Sequence, residues 1–117
     1  MTEKPASAMK TVGEIMHRGV YTCAEHVHLH EAARLMTEHG VRALVVLDPK
    51  CGLKGLVSQS DLVNAAVQHG IGEAWRALTV ADVMTRDVIT ITPEAPVSEA
   101  ARLTVTHRIH RLVVVAA

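Results

Sequence analysis

Ser58 and Asp61 stand three residues apart at the head of an apolar helical run, and His110 and Arg111 lie together just before the apolar stretch Leu112–Val115. These residue types could bind polar or anionic groups. A carboxylate accepts hydroxyl donors, and a hydroxyl with unpaired N–H groups at a helix start attracts an anion. A guanidinium presents a planar fork to phosphate oxygens. The same Ser-x-x-Asp spacing is also an ordinary capping box, in which the two side chains satisfy the first backbone N–H groups of the helix. For Arg111 the plainer reading is a solvated strand end or a salt bridge, and for His110 it is packing at the strand start. A second cluster holds His26, His28 and His30, with Cys23 nearby. Alternate residues share one face of a strand, and both residue types bind metals. This segment runs into a helix start, where the alternation breaks, so solvated loop histidines are expected and no metal site is assigned. The chain has no G-x-S-x-G, no H-E-x-x-H and no glycine-rich phosphate loop, so no catalytic residue is assigned and an enzyme is not expected.

The elements that must position these groups come in duplicate. Placing Val12 on Val80 aligns Val12-Gly13-Glu14-Ile15-Met16 with Val80-Ala81-Asp82-Val83-Met84 without a gap. In the same register Glu31-Ala32-Ala33-Arg34-Leu35 meets Glu99-Ala100-Ala101-Arg102-Leu103, His39 meets His107, and Leu44-Val45-Val46 meets Leu112-Val113-Val114. A repeat of this kind is one structural unit used twice. Each copy opens with a capped short helix, Thr11 with Glu14 and Thr79 with Asp82, ending near Met16 and Met84. Strands follow at Val20–Cys23 and Val88–Thr92, both β-branched. An amphipathic helix comes next, with Leu29, Ala32, Ala33 and Met36 on one face, and Val97, Ala100, Ala101 and Thr104 on the other copy's. Pro96 suits the first turn of the second helix. Ala43–Leu47 and Leu112–Val115 read as short strands buried on both faces. Only the first copy goes on, through a turn at residues 48–52 to a strand Leu53–Val57 and a helix opened by Ser58-Gln59-Ser60-Asp61 and stopped by His69-Gly70. The organisation expected is a first repeat over 11–70, a linker over 71–78 carrying Trp75, and a second, incomplete repeat over 79–117.

Composition narrows the function. Of the 117 residues 49% are hydrophobic, almost all aliphatic, which suits helices covering a sheet. Twelve basic and twelve acidic residues cancel, so no general attraction for nucleic acid or anionic lipid is expected. The first residues have no apolar run, and no stretch is long enough for a membrane span. Two cysteines make no disulfide framework, and a cytoplasmic setting is expected.

Four segments, in this order and spacing, carry a family resemblance: Gly55-Leu56-Val57-Ser58-Gln59-Ser60-Asp61-Leu62, Asp82-Val83-Met84-Thr85, Val88-Ile89-Thr90-Ile91 and Ile109-His110-Arg111-Leu112-Val113-Val114. The chain resembles a tandem pair of CBS domains, named for cystathionine β-synthase. The resemblance implies an α/β (α+β) fold of two β-α-β-β-α repeats with pseudo-two-fold symmetry. It implies a regulatory module that binds AMP, ADP, ATP or S-adenosylmethionine in a cleft between repeats and modulates a partner. In similar modules the glycine–hydrophobic–hydrophobic–Ser/Thr–x–x–Asp motif supplies ribose and phosphate contacts, here Gly55, Val57, Ser58 and Asp61. The other repeat supplies an apolar strand against the adenine, here Val88, Ile89 and Thr90, and a His-Arg pair near the phosphates, here His110 and Arg111. The first repeat has Arg42 and Ala43 in place of that pair. A homodimer and an effector protein of unknown identity are also implied, with no cofactor beyond the regulatory ligand. Two alternatives remain: a ligand-free dimerisation or interaction module, or a fragment of a larger CBS-containing enzyme or transporter.

Overall fold

The computed structural model describes residues 10–16, 20–50, 52–109 and 111–115. The chain separates into two compact units, residues 19–87 and residues 1–18 with 88–117.

Within residues 19–87 the elements are β1 (Thr22–Cys23), α2 (Leu29–His39), β2 (Ala43–Asp48), β3 (Gly52–Ser58), α3 (Gln59–His69), α4 (Glu73–Ala77) and α5 (Val80–Val83). β2 is the middle strand, parallel to β1 and antiparallel to β3. Leu29, Ala32 and Met36 recur at helical spacing and are the residues of α2 that become buried. They join Leu44, Val46, Val57, Leu62, Ala65, Val80 and Met84 in one core. Full burial of a side chain such as Leu29 contributes about 1.5–3 kcal/mol. α2 ends because Gly40 takes a left-handed conformation (φ 64°), which lets the Val41 N–H reach the Met36 carbonyl at 2.9 Å.

The strand expected over Ala43–Leu47 runs on to Asp48, and its burial on both faces holds only for Leu44, Val45 and Val46. A register shift after Val46 turns Leu47 out to 40% exposure. The expected linker over 71–78 contains α4, whose Trp75 donates its indole N–H to the Leu62 carbonyl at 3.2 Å and packs on the core. Gly55 lies where the chain crosses closely. Leu56 and Thr85 exchange both backbone hydrogen bonds at 2.9 Å, and a Cβ on Gly55 would sit 2.6 Å from the Thr85 carbonyl oxygen.

The second unit holds α1 (Val12–Ile15), β4 (Thr90–Ile91), α6 (Val97–His107) and β5 (Val113–Val114), with β4 and β5 parallel. The repeat register holds in the backbone. The bounds of α1, β1 and α2 reappear 68 positions later as those of α5, β4 and α6. The pairs Thr22↔Val45 and Cys23↔Val46 reappear as Thr90↔Val113 and Ile91↔Val114. Even the helix C-caps match, since Arg108 adopts the left-handed conformation of Gly40 (φ 54°). Strands β1 and β4 are two residues long, shorter than the β-branched runs suggested, because only those residues meet a partner strand. Pro96 is the residue before the helix, with extended ψ 151°, and Val97 begins it.

Each unit also takes the opening segment of the other repeat. Val12, Gly13 and Val97 bond through their backbone N–H groups to Ala95, Pro93 and Lys10 at 2.8, 2.8 and 2.9 Å. The equivalent set, Val80 to Val27, Ala81 to Glu25 and Leu29 to Leu78, measures 2.8, 2.9 and 3.4 Å. The short helix of the second repeat thus completes the core around β2, where Val80 is wholly buried.

Candidate ligand site

Ser58 ends β3 in an extended conformation (φ −120°, ψ 166°) and caps α3. Its Oγ accepts the Asp61 N–H at 3.2 Å and donates to Asp61 Oδ2 at 3.0 Å. The Ser58 N–H donates to the same Oδ2 at 2.8 Å. The capping box expected as the plain reading is therefore formed. It engages one carboxylate oxygen. Among the described residues no donor meets Asp61 Oδ1, which leaves that oxygen able to take a hydroxyl. Ser58 is buried, at 8% exposure, and Asp61 is half-buried. Val57 is wholly buried in the core, where it pairs with Leu44.

Arg42 joins this group and was not assigned from the sequence. Its carbonyl accepts the Gln59 N–H at 2.9 Å, and the next residue, Ala43, pairs with Ser58. The Arg42 backbone is thereby held beside the first turn of α3, its side chain is exposed, and among the described residues no ion pair engages it. The available signal was its place in the repeat, where it stands opposite His110. A cation near a helix start favours an anion.

Asp61 also lines a shallow groove of about 260 Å³ with Asn64, Ala65, Gln68, His69, Leu78, Asp82 and Val83. Drug-sized ligands fill roughly 300–1,000 Å³. The groove by itself is too small and open to enclose a nucleotide.

The remaining predicted residues lie in the second unit. Val88 and Ile89 are half-buried, Thr90 is exposed on β4, and the Ile89 carbonyl accepts the Val113 N–H at 3.2 Å. Arg111 is exposed, two residues before β5. His110 lies outside the described residues. The structure brings Val57, Ser58 and Asp61 together in one unit and Val88, Ile89, Thr90 and Arg111 together in the other.

The histidine cluster is spent on local structure. His28 precedes α2, and its Nδ1 lies 3.2 Å from the Leu78 carbonyl. The rings of His28 and His30 stack at 6.0 Å, while His26 is exposed in a turn. Burial pushes the Cys23 thiol up, away from the thiolate that a metal would need. Among the described residues no group of three or more His, Cys, Asp or Glu side chains is placed to hold a metal ion. Among them, no helix is long and apolar enough to cross a membrane.

Comparison with known proteins agrees with this architecture. The CBS domain family matches residues 12–68 and 80–116, and the chain belongs to that family. It is 34% identical over 110 residues to inosine-5'-monophosphate dehydrogenase of Korarchaeum cryptofilum, covering 94% of this chain and 21% of that protein. It is 29% identical to the mitochondrial CBS domain-containing protein CBSX3 of Arabidopsis thaliana, covering 94% of this chain and 54% of that one. The chain thus spans between about a sixth and about half of the length of the curated relatives it matches. Among solved structures, the CBS domain pair of protein MJ0100, in complex with 5'-methylthioadenosine and S-adenosylmethionine, superposes with a TM-score of 0.80 at 25% identity. That match covers 92% of this chain and 81% of the other. CBSX2 in complex with AMP superposes with a TM-score of 0.74 at 26% identity, covering 92% and 84%.

Proposed function

We propose that this CBS pair is a regulatory module that binds an adenosyl ligand and changes the activity of a protein partner. One observation carries the reading: Ser58 and Asp61 are bonded to each other at the start of α3, beside the backbone of Arg42, in a fold whose relatives hold AMP, 5'-methylthioadenosine and S-adenosylmethionine. Asp61 takes ribose hydroxyls on its open oxygen. Arg42 takes the anionic end. The family resemblance implies further contacts from Val88, Ile89, Thr90, His110 and Arg111. No catalytic step and no cofactor belongs to this role. Unpaired Cys23 fits a reducing, cytoplasmic setting. The regulated partner is a separate protein or a larger polypeptide carrying this pair, as the dehydrogenase match illustrates.

A second reading has its own support. The finished capping box shows that Ser58 and Asp61 serve the helix without any ligand, so a purely structural pair used for dimerisation and docking needs nothing more from them. A thermal-shift panel with AMP, ADP, ATP and S-adenosylmethionine separates the two. A ligand present at about 100 times its dissociation constant adds about 2.7 kcal/mol of stability. A raised melting temperature with at least one of the four supports the sensor. No shift with any of them at millimolar concentration leaves the interaction module.

A further inference from the structure

The ends of α2 and α6 are the same turn built from different charges. Gly40 and Arg108 both take the left-handed conformation, at φ 64° and 54°. The Gly40 and Val41 N–H groups reach the Thr37 and Met36 carbonyls at 3.3 and 2.9 Å. The Arg108 and Ile109 N–H groups reach the Val105 and Thr104 carbonyls at 3.3 and 3.0 Å. Residues 38–43 of the first repeat hold one acid, Glu38, and one arginine, Arg42. The matching residues 106–111 hold Arg108, Arg111 and two histidines, with no acid. Since the neutral version closes the same turn, the fold does not require the added cations. Arg108 also occupies a conformation that glycine adopts without a Cβ penalty. A non-glycine residue held there points to a use for its side chain. The helix dipole favours a cation at a C-terminus, but His39 and His107 stand in both last turns, and Arg111 lies beyond the helix. Arg108 and Arg111 are exposed, and among the described residues no ion pair engages either. Glu99, the acid nearest before them in the chain, is bonded to Arg102 at 2.6 Å.

We infer that the segment from His107 to Arg111 is an anion site that selects a triphosphate chain over a single phosphate, and that Arg108 sets the preference. A single phosphate is satisfied by one guanidinium fork. Arg108 and Arg111 stand three residues apart, at most about 10 Å along the backbone. Within that span a phosphate chain meets both forks, each on different oxygens. The first repeat has no second arginine at its matching turn, so the preference belongs to the second repeat alone. This inference rests on the adenosyl-ligand reading for the base and the ribose, while the anion site itself does not.

Calorimetry at fixed ionic strength and without magnesium compares AMP, ATP and inorganic tripolyphosphate on wild type, Arg108→Gly and Arg76→Ala. Wild type should bind ATP about tenfold tighter than AMP or more, the worth of an added charge-assisted contact. Arg108→Gly installs the residue of the first repeat and relieves the left-handed strain, so the protein stays folded. Its preference for ATP over AMP should fall to within about threefold. Arg76→Ala removes an exposed arginine of α4 and should keep the wild-type preference, which separates the site from net charge. Tripolyphosphate should bind wild type and weaken in Arg108→Gly, and tighter binding of ATP than of tripolyphosphate marks the nucleoside as part of the ligand. Equal affinity of wild type for AMP and ATP, or an Arg108→Gly protein that keeps the wild-type preference, overturns the inference and leaves the adenosyl reading in place. Tripolyphosphate binding that depends on Arg108, with no adenosyl ligand bound, upholds the anion site and defeats the adenosyl reading. Binding of none of the three overturns both.

Discussion

Replacing Gly55 by alanine should destabilise the protein by about 2–4.5 kcal/mol. The new Cβ would lie 2.6 Å from the Thr85 carbonyl oxygen, 2.9 Å from Met84 Sδ and 3.2 Å from Met84 Cγ. The methionine can shift, since its thioether end is flexible. The Thr85 carbonyl cannot move freely, because it accepts the Leu56 N–H while the Thr85 N–H is bonded to the Leu56 carbonyl, both at 2.9 Å. Opening this bridge forfeits about 1 kcal/mol for each hydrogen bond, and overpacking adds about 1–3 kcal/mol. Against that, alanine in a strand interior recovers about 0.5–1 kcal/mol of the entropy that glycine loses on folding. Urea denaturation followed by Trp75 fluorescence reads the result, because that indole is half-buried against α3. Gly52→Ala is the comparison. Gly52 has open space around it but a left-handed φ of 78°, so its cost is conformational, about 1–2 kcal/mol. A Gly55→Ala protein as stable as wild type would refute the crossing of Met84–Thr85 over β3.

Other outcomes follow from single residues. Arg108→Gly should stabilise the protein by about 0.5–1 kcal/mol, because Arg108 holds a left-handed C-cap that its counterpart Gly40 adopts without a Cβ penalty; chemical denaturation checks this, and a loss of stability would contradict it. Leu29→Ala should cost about 2–5 kcal/mol by the same assay, since the side chain is wholly buried at the centre of the core. In a Cys51→Ser protein, the Cys23 thiol should react with a disulfide reagent more slowly than a free thiol near pH 8, because burial raises its pKa. Denaturant should abolish the difference. The sign for stability follows: the unfolded thiol ionises first, so stability from Cys23 is full below about pH 8.5 and is lost as pH rises further.

The repeat, its helices and the Ser58–Asp61 box were legible because each rests on local chemistry. Leu29, Ala32 and Met36 announce a buried helical face, Gly40 and Gly70 announce helix ends, and Ser58 and Asp61 are three residues apart. Arg42 was harder to see, since its nearness to Ser58 comes from pairing across β2 and β3 and not from spacing along the chain. The exchange of opening segments was invisible for the same reason. The bonds of Val12 to Ala95 and Val80 to Val27 join distant residues, and no periodicity within either repeat distinguishes packing on its own strand from packing on the other's. The apolar face read on α6 has a helical period, yet Val97, Ala100 and Thr104 are only half-buried and Ala101 is exposed. Periodicity reports which residues share a face, while burial depends on what that face meets.

Isothermal titration calorimetry with AMP, ADP, ATP and S-adenosylmethionine, on wild type and on Asp61→Ala, tests the central claim most directly. At least one ligand should saturate wild type below millimolar concentration. Asp61→Ala should weaken it by about tenfold or more, the worth of a charge-assisted hydrogen bond. Wild type that binds none of the four, or Asp61→Ala protein that melts earlier yet keeps full affinity, would contradict the account and leave Asp61 as a helix cap alone.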